Sequence, residues 1–136
     1  MRPLHVCRVE ARSYELDSFG HLNHAVFLNY FEHARFQTLA AGGFPPDAIT
    51  ARDEGVHVVR VEVDYRREVR LGDALEIATS LAAIRTSSLT LRQVAYRAGD
   101  PEHVHAEALV VAVWIGPDGR PMRIPADARR ALEDHA

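Results

Sequence analysis

The chain has 136 residues, 47% of them hydrophobic and 26% charged, with a net charge of -3 at pH 7. That length suits one domain, residues 1–136, with a single core, and the composition excludes a disordered chain. All 16 basic residues are arginine and they are scattered, which excludes chemistry that needs a lysine amine and leaves no electrostatic footprint for nucleic acid.

The lone Cys7 has no intramolecular disulfide partner. Neither a secretory signal pattern nor an apolar run of membrane-spanning length is present, so a cytoplasmic protein with no membrane span is expected.

Residues 6–14 alternate, with Cys7, Val9 and Ala11 on one side and Arg8, Glu10 and Arg12 on the other, which predicts a half-buried strand. From His24 to about Ala41 the chain lacks glycine and proline. There Ala25, Phe27, Leu28, Phe31, Ala34 and Leu39 predict a long, largely buried helix that ends at Gly42-Gly43. A loop containing Pro45-Pro46 follows.

Val59, Val61, Val63 and Tyr65 then alternate with Arg60, Glu62, Asp64 and Arg66, and Gly72-Asp73 turns the chain into a run through Leu75, Ile77, Thr79 and Leu81. In the next run Leu89 and Leu91 keep one phase and Val94 and Tyr96 the other, which predicts a bulge near Arg92-Gln93. Residues 103–115 end in "ALVVAVWI", apolar on both sides, and predict a central strand whose first residues, His103 and His105, are exposed. "PADARRALED" at 125–134 predicts a short terminal helix.

The order is therefore strand, long helix, then four strands at hairpin spacing. An alternating antiparallel sheet needs a cover for its apolar face, and only one long apolar helix can provide it. The expected fold is α+β, an antiparallel sheet of about five strands wrapped around that helix.

The turn before the helix is the candidate place for chemistry. Asn23 is a good N-cap, so His24 opens the helix, where unpaired amides and the helix dipole can stabilise an oxyanion. Gly20 allows a tight reversal that brings Asp17 back toward that helix start. A carbonyl held there would meet donors at its oxygen and a carboxylate near its carbon, the two elements acyl transfer needs.

The pattern D-x-x-G-H-x-N-H-x-x-F-x-x-Y-F-E-x-A-R, carried by Asp17, Gly20, His21, Asn23, His24, Phe27, Tyr30, Phe31, Glu32, Ala34 and Arg35, resembles the signature of hotdog-fold acyl-CoA thioesterases of the 4-hydroxybenzoyl-CoA thioesterase type. It is also similar to the bacterial short-chain acyl-CoA thioesterases associated with the Tol-Pal envelope system. The resemblance implies that Asp17 is the catalytic carboxylate, as nucleophile or as base for water, and that the His24 amide polarises the thioester oxygen, its imidazole contributing a second role. Other branches place the acid on the helix, which makes Glu32 the rival. The resemblance also places Arg85, Ser87 and Ser88 near coenzyme A. It implies an acyl-CoA substrate, no metal or redox cofactor (coenzyme A being part of the substrate), and a homodimer with a further homotetramer.

Blander readings stand beside these. Asp17 can be a turn residue, Glu32 and Arg35 a surface pair, and Phe27, Tyr30 and Phe31 plain core. His21, His24 and His33 lack a convincing third metal ligand, and Ser87 and Ser88 lack a nucleophile elbow. Two other functions stay open: a hotdog protein that binds acyl groups or a protein partner without turnover, and an acyl-chain hydratase or dehydratase.

Overall fold

The computed structural model describes residues 2–134. In chain order come β1 (His5–Glu10), a 3-10 turn (Ser13–Glu15), α1 (His24–Ala41), α2 (Pro46–Thr50), β2 (Gly55–Tyr65), β3 (Ala74–Ile84), β4 (Ser88–Arg97), β5 (Asp100–Ile115) and α3 (Ala126–Glu133). The strands form one antiparallel sheet in the order β1-β3-β4-β5-β2, with α1 against its apolar face. The expected α+β architecture is the observed one.

Both ends of α1 are encoded locally. Asn23 caps the start by accepting from the Ala25 amide at 2.8 Å. At the other end Gly43 takes φ of +93°, the Gly43 amide donates to Ala40 and the Phe44 amide to Leu39, a Schellman closure that only a residue tolerant of positive φ accommodates.

Phe27, Tyr30, Phe31, Ala34 and Thr38, spaced three and four apart, form the buried face of α1. The first four pack on Cys7 and Val9 of β1, Leu75 and Ile77 of β3, and Ala95, Ala106 and Ala108 of β4 and β5. Alanines on the central strands leave room for the helix aromatics. A second cluster at the opposite end of the sheet joins Leu81, Leu89, Leu91 and Trp114 to Ile49 of α2 and to Ala128 and Leu132 of α3.

Several local expectations change. β1 stops at Glu10, because the amide and guanidinium of Arg12 turn to Glu15 and fold residues 13–15 into a 3-10 turn. The Pro45-Pro46 loop contains α2, with Pro46 at its first turn. Strands β2 and β3 are not a hairpin: β2 pairs with β5 and β3 with β1 and β4, so residues 66–73 are a crossover between strands that are not neighbours.

No phase change occurs at Arg92-Gln93. Gln93 stays on the inner face, fully buried, because its amide finds the Phe31 carbonyl and the Thr79 hydroxyl, both at 3.0 Å. The bulges lie instead at Val58/Arg60, Leu81/Ala83 and Ala95/Arg97. His105 is buried at 4% exposure, not solvated; its ring stacks edge-on with His103 and its carbonyl accepts from the amides of Arg66 and Arg67.

Helix α1 is half-covered rather than largely buried. It lies over β1 and β3 and leaves the β2 edge of the sheet open. Leu28 and Phe36 of the helix remain 42% and 43% exposed, and Val58, Val61 and Tyr65 of β2 are comparably open. These strand residues pair with Ala112, Val110 and Ala106, whose side chains face inward, so an apolar groove runs between the helix and the sheet edge.

Candidate active site

Residues 15–17 and 21–23 form a short two-stranded ribbon between the 3-10 turn and α1. Leu16 bridges Leu22, the Asp17 amide donates to the His21 carbonyl at 2.7 Å, and the Asn23 amide donates to the Glu15 carbonyl at 2.9 Å. The ribbon reverses at Ser18–Gly20, where Gly20 takes φ of +80° and its amide donates to the Asp17 carbonyl. The Leu22 amide donates to the Val69 carbonyl, which ties the ribbon to the crossover after β2.

Within this turn Asp17 Oδ1 accepts from the amides of Phe19 (2.9 Å) and His21 (3.2 Å). The His21 amide contributes most to holding the Asp17 carboxyl below its ordinary value of 3.8; desolvation, next in size, opposes it, and the Phe19 amide and the imidazoles of His21 and His24 reinforce the lowering. Oδ2 takes no part in these turn bonds.

At the helix head the Ala25 amide is taken by the Asn23 side chain and the Val26 amide by the Asn23 carbonyl. Among the described residues nothing accepts from the His24 amide, which leaves a helix-start donor free. Tyr65, at the end of β2, donates its hydroxyl to the His24 carbonyl at 2.7 Å, meets the His24 ring edge-on at 6.3 Å and the Phe27 ring at 5.4 Å.

Asp17, His21, His24, Phe27 and Tyr65 line one open cleft of about 280 Å³, with Arg66, Arg67 and Glu68 at its rim. His21 Nε2 lies 2.7 Å from Glu68 Oε2, which closes one side. Asp17, Gly20, Asn23 and His24 are thus brought together. Tyr65 and the rim residues were missed, since Tyr65 reads in the sequence only as one more alternating strand residue.

The other candidates lie elsewhere. Glu32 is exposed and lines a separate groove of about 190 Å³ with Arg35, Phe36, Leu39, Val58 and Trp114. It lies eight positions after His24 on α1, about 12 Å along the axis. Arg35, half-buried, donates to Gln93 Oε1 at 3.0 Å and does not pair with Glu32.

Arg85, Ser87 and Ser88 occupy the β3–β4 turn, where the Arg85 amide donates to the Ser88 carbonyl and the Trp114 amide to the Ser87 carbonyl. Ser88 pairs with Val113 and Tyr65 with Ala106, so this turn is about 24 Å from the cleft along β5. Among the described residues no group of three or more His, Cys, Asp or Glu side chains is placed to hold a metal ion. No described helix is long and apolar enough to cross a membrane.

A family model for the thioesterase-like superfamily matches residues 11–132. The chain belongs to the thioesterase-like superfamily. It is 34% identical over 110 residues to the long-chain acyl-CoA thioesterase FadM of Escherichia coli (strain K12), covering 79% of this chain and 80% of that one. It is 27% identical over 129 residues to the chloroplastic acyl-acyl carrier protein thioesterase ATL3 of Arabidopsis thaliana, covering 95% of this chain and 67% of that protein. The chain therefore spans about two thirds of the plant relative's length. Among solved structures, the hypothetical protein TT1821 from Thermus thermophilus superposes with a TM-score of 0.88 at 30% identity, covering 96% of this chain and 98% of that one. In this superfamily member, the helix laid against one face of a five-stranded antiparallel sheet is the hotdog arrangement.

Proposed function

We propose that this thioesterase-like protein hydrolyses an acyl-CoA thioester to the free carboxylic acid and coenzyme A, with Asp17 and the His24 amide as its two working groups. The observation that carries the reading is that Asp17, whose carboxylate is kept ionised at neutral pH, and His24, whose helix-start amide has no acceptor among the described residues, line the same cleft. The thioester oxygen accepts from the His24 amide, and the negative charge that grows there as the carbon becomes tetrahedral is stabilised by about 3 to 4 kcal/mol for such a donor. Asp17 acts on the carbon in one of two ways. It attacks directly, expelling the thiolate and leaving a mixed anhydride that water opens, or it takes the proton from a water that attacks.

Glu32 is the weaker acid candidate, because it is a helix length of about 12 Å from the His24 amide in its own chain. Gly20 and Asn23 support the turn and the cap. A residue 1–136 domain acts in this reading as a pair. The open β2 edge joins a second copy antiparallel to itself, which satisfies its unpaired backbone and covers the apolar groove. In such a pair the partner's β3–β4 turn swings toward this chain's cleft, the arrangement in which Arg85, Ser87 and Ser88 of one copy contact coenzyme A bound to the other.

The test is thiol release from a panel of acyl-CoA and acyl-carrier-protein thioesters by the purified protein and by Asp17→Asn, with circular dichroism to confirm that both are folded. Turnover by the wild type that falls at least a hundredfold in the variant supports the reading. Equal turnover in both removes Asp17 from the mechanism, and none in either leaves a binding protein. The carrier-protein arm decides which thiol the site accepts.

A further inference from the structure

We infer that Glu15 and Tyr30 form a positioning pair that holds Asp17 against the head of α1, a role resting on the proposed activity. Glu15 is only 9% exposed and its carboxylate takes no part in the cleft. Its Oε1 accepts the Tyr30 hydroxyl at 2.6 Å and the Arg12 amide at 2.9 Å, while Oε2 lies 3.5 Å from the Arg12 guanidinium.

A buried carboxylate is tolerated only when it is supplied with donors of this kind, and charge-assisted bonds are the stronger class. Burial raises the Tyr30 phenol above its ordinary range, with the Glu15 hydrogen bond next, so the phenol stays protonated as a donor at any working pH.

The location gives the pair its consequence. Glu15 lies two residues before Asp17 and is fastened to α1 twice: through its carbonyl to the Asn23 amide at the cap, and through its side chain to Tyr30 in the second turn. The 21–23 side of the ribbon is held by buried Leu22 and its bond to Val69, but the 15–17 side that carries Asp17 is one strand of a two-strand reversal with an exposed tip, too short to be rigid alone. The buried bond makes the 3-10 turn, the ribbon and the helix one body. A carboxylate and an oxyanion donor on separate elements lose rate steeply when their separation drifts by about 1 Å.

The experiment compares Tyr30→Phe, Glu15→Ala, Glu15→Gln and the double Tyr30→Phe/Glu15→Ala by kinetics and by amide hydrogen exchange. Tyr30→Phe keeps the ring in the core and removes only the donor; its kcat should fall about tenfold with KM changed less than about twofold. Glu15→Ala should lose about a hundredfold, the double variant no more than that, and Glu15→Gln, whose amide oxygen still accepts from Tyr30 and Arg12, should recover to within about threefold.

Independently of turnover, exchange at the His21 and Asn23 amides should quicken about tenfold in Tyr30→Phe while Ala34 and β4 amides keep their rates. Variants with normal kcat in an active enzyme, or exchange that quickens evenly along the chain, would overturn the pairing. If the wild type has no turnover, the proposed activity fails and the exchange result alone decides the positioning.

Discussion

The Tyr65 hydroxyl donates to the His24 carbonyl at 2.7 Å and so ties the free edge of the sheet to the first residue of α1. Together with the packing of the Tyr65 ring on His24 and Phe27, that bond joins the two sides of the cleft. Tyr65→Phe keeps the ring against Phe27 and removes the tie. A neutral hydrogen bond of this kind is worth about 1 kcal/mol, so the midpoint of urea unfolding should shift only slightly. The rate should suffer more, about tenfold in kcat, because the donor amide belongs to the same residue as the tethered carbonyl. Steady-state kinetics beside a urea titration separates the two effects, and a loss of stability without a loss of rate would contradict this role.

In the proposed mechanism Asp17 sets the acid limit. Its pKa is lower folded than unfolded, chiefly through the His21 amide, so the carboxylate stays mostly ionised at its ordinary value of 3.8 and is lost as pH falls through the lower folded value. The turn bonds to Phe19 and His21 contribute stability over that same range and fade in the same direction. The acidic limb of kcat/KM should therefore lie below 3.8. A carbon-detected NMR titration of the Asp17 carboxyl reads the same ionisation without activity. A midpoint above that value by either method would be inconsistent with the turn geometry.

Gly20 adopts φ of +80° with no heavy atom near the place a Cβ would take. Gly20→Ala is thus free of clashes yet strained by about 1 to 2 kcal/mol, because L-residues resist that region. Strain concentrated in a four-residue turn is relieved by moving the turn. The variant should lose more than about tenfold in kcat while its far-ultraviolet circular dichroism is unchanged. Wild-type kcat in Gly20→Ala would mean that the turn conformation does not matter to the reaction.

Gln93 ties three elements together. It is fully buried, donates to Phe31 of α1 and Thr79 of β3, and accepts from Arg35. Burial pulls the Arg35 guanidinium below its ordinary range, against a weaker opposing effect of Glu32, so the Gln93 oxygen is an important partner for a partly desolvated cation. Gln93→Leu matches the shape but leaves that cation, a hydroxyl and a carbonyl without their partner. It should cost about 2 to 4 kcal/mol in guanidinium unfolding. Gln93→Glu, which keeps the acceptor for Arg35 but loses the donor, should recover part of that.

Along β2 the inner-face Val61 is 40% exposed beside the open edge. In the proposed pair this bare edge with its apolar flank faces the second copy, so Val61→Arg should convert the dimer to a monomer in sedimentation and lower turnover with it. A monomeric wild type with full activity would remove the partner copy from the reaction.

The sequence alone determined the elements whose signals are local. Helix α1 was legible from Asn23 to Gly43 because a cap, an unbroken run and a positive-φ glycine are all encoded within the segment. That Asp17, Gly20, Asn23 and His24 lie close together was legible because they fall within eight residues, on one short ribbon and the helix start that follows it.

Tertiary structure decided what depends on partners distant in sequence. Gln93 looked like a phase break because a polar residue on an inner face makes sense only once Phe31, Thr79 and Arg35 are beside it. His105 looked exposed, but Arg66 and Arg67 at the start of the crossover pack against it. The non-neighbouring placement of β2 and β3 could not be read from their alternation, since period-two patterning says which face a strand buries and nothing about which strand lies next to it. That placement is also what brought Tyr65 to His24, so the residue that completes the cleft was visible only in three dimensions.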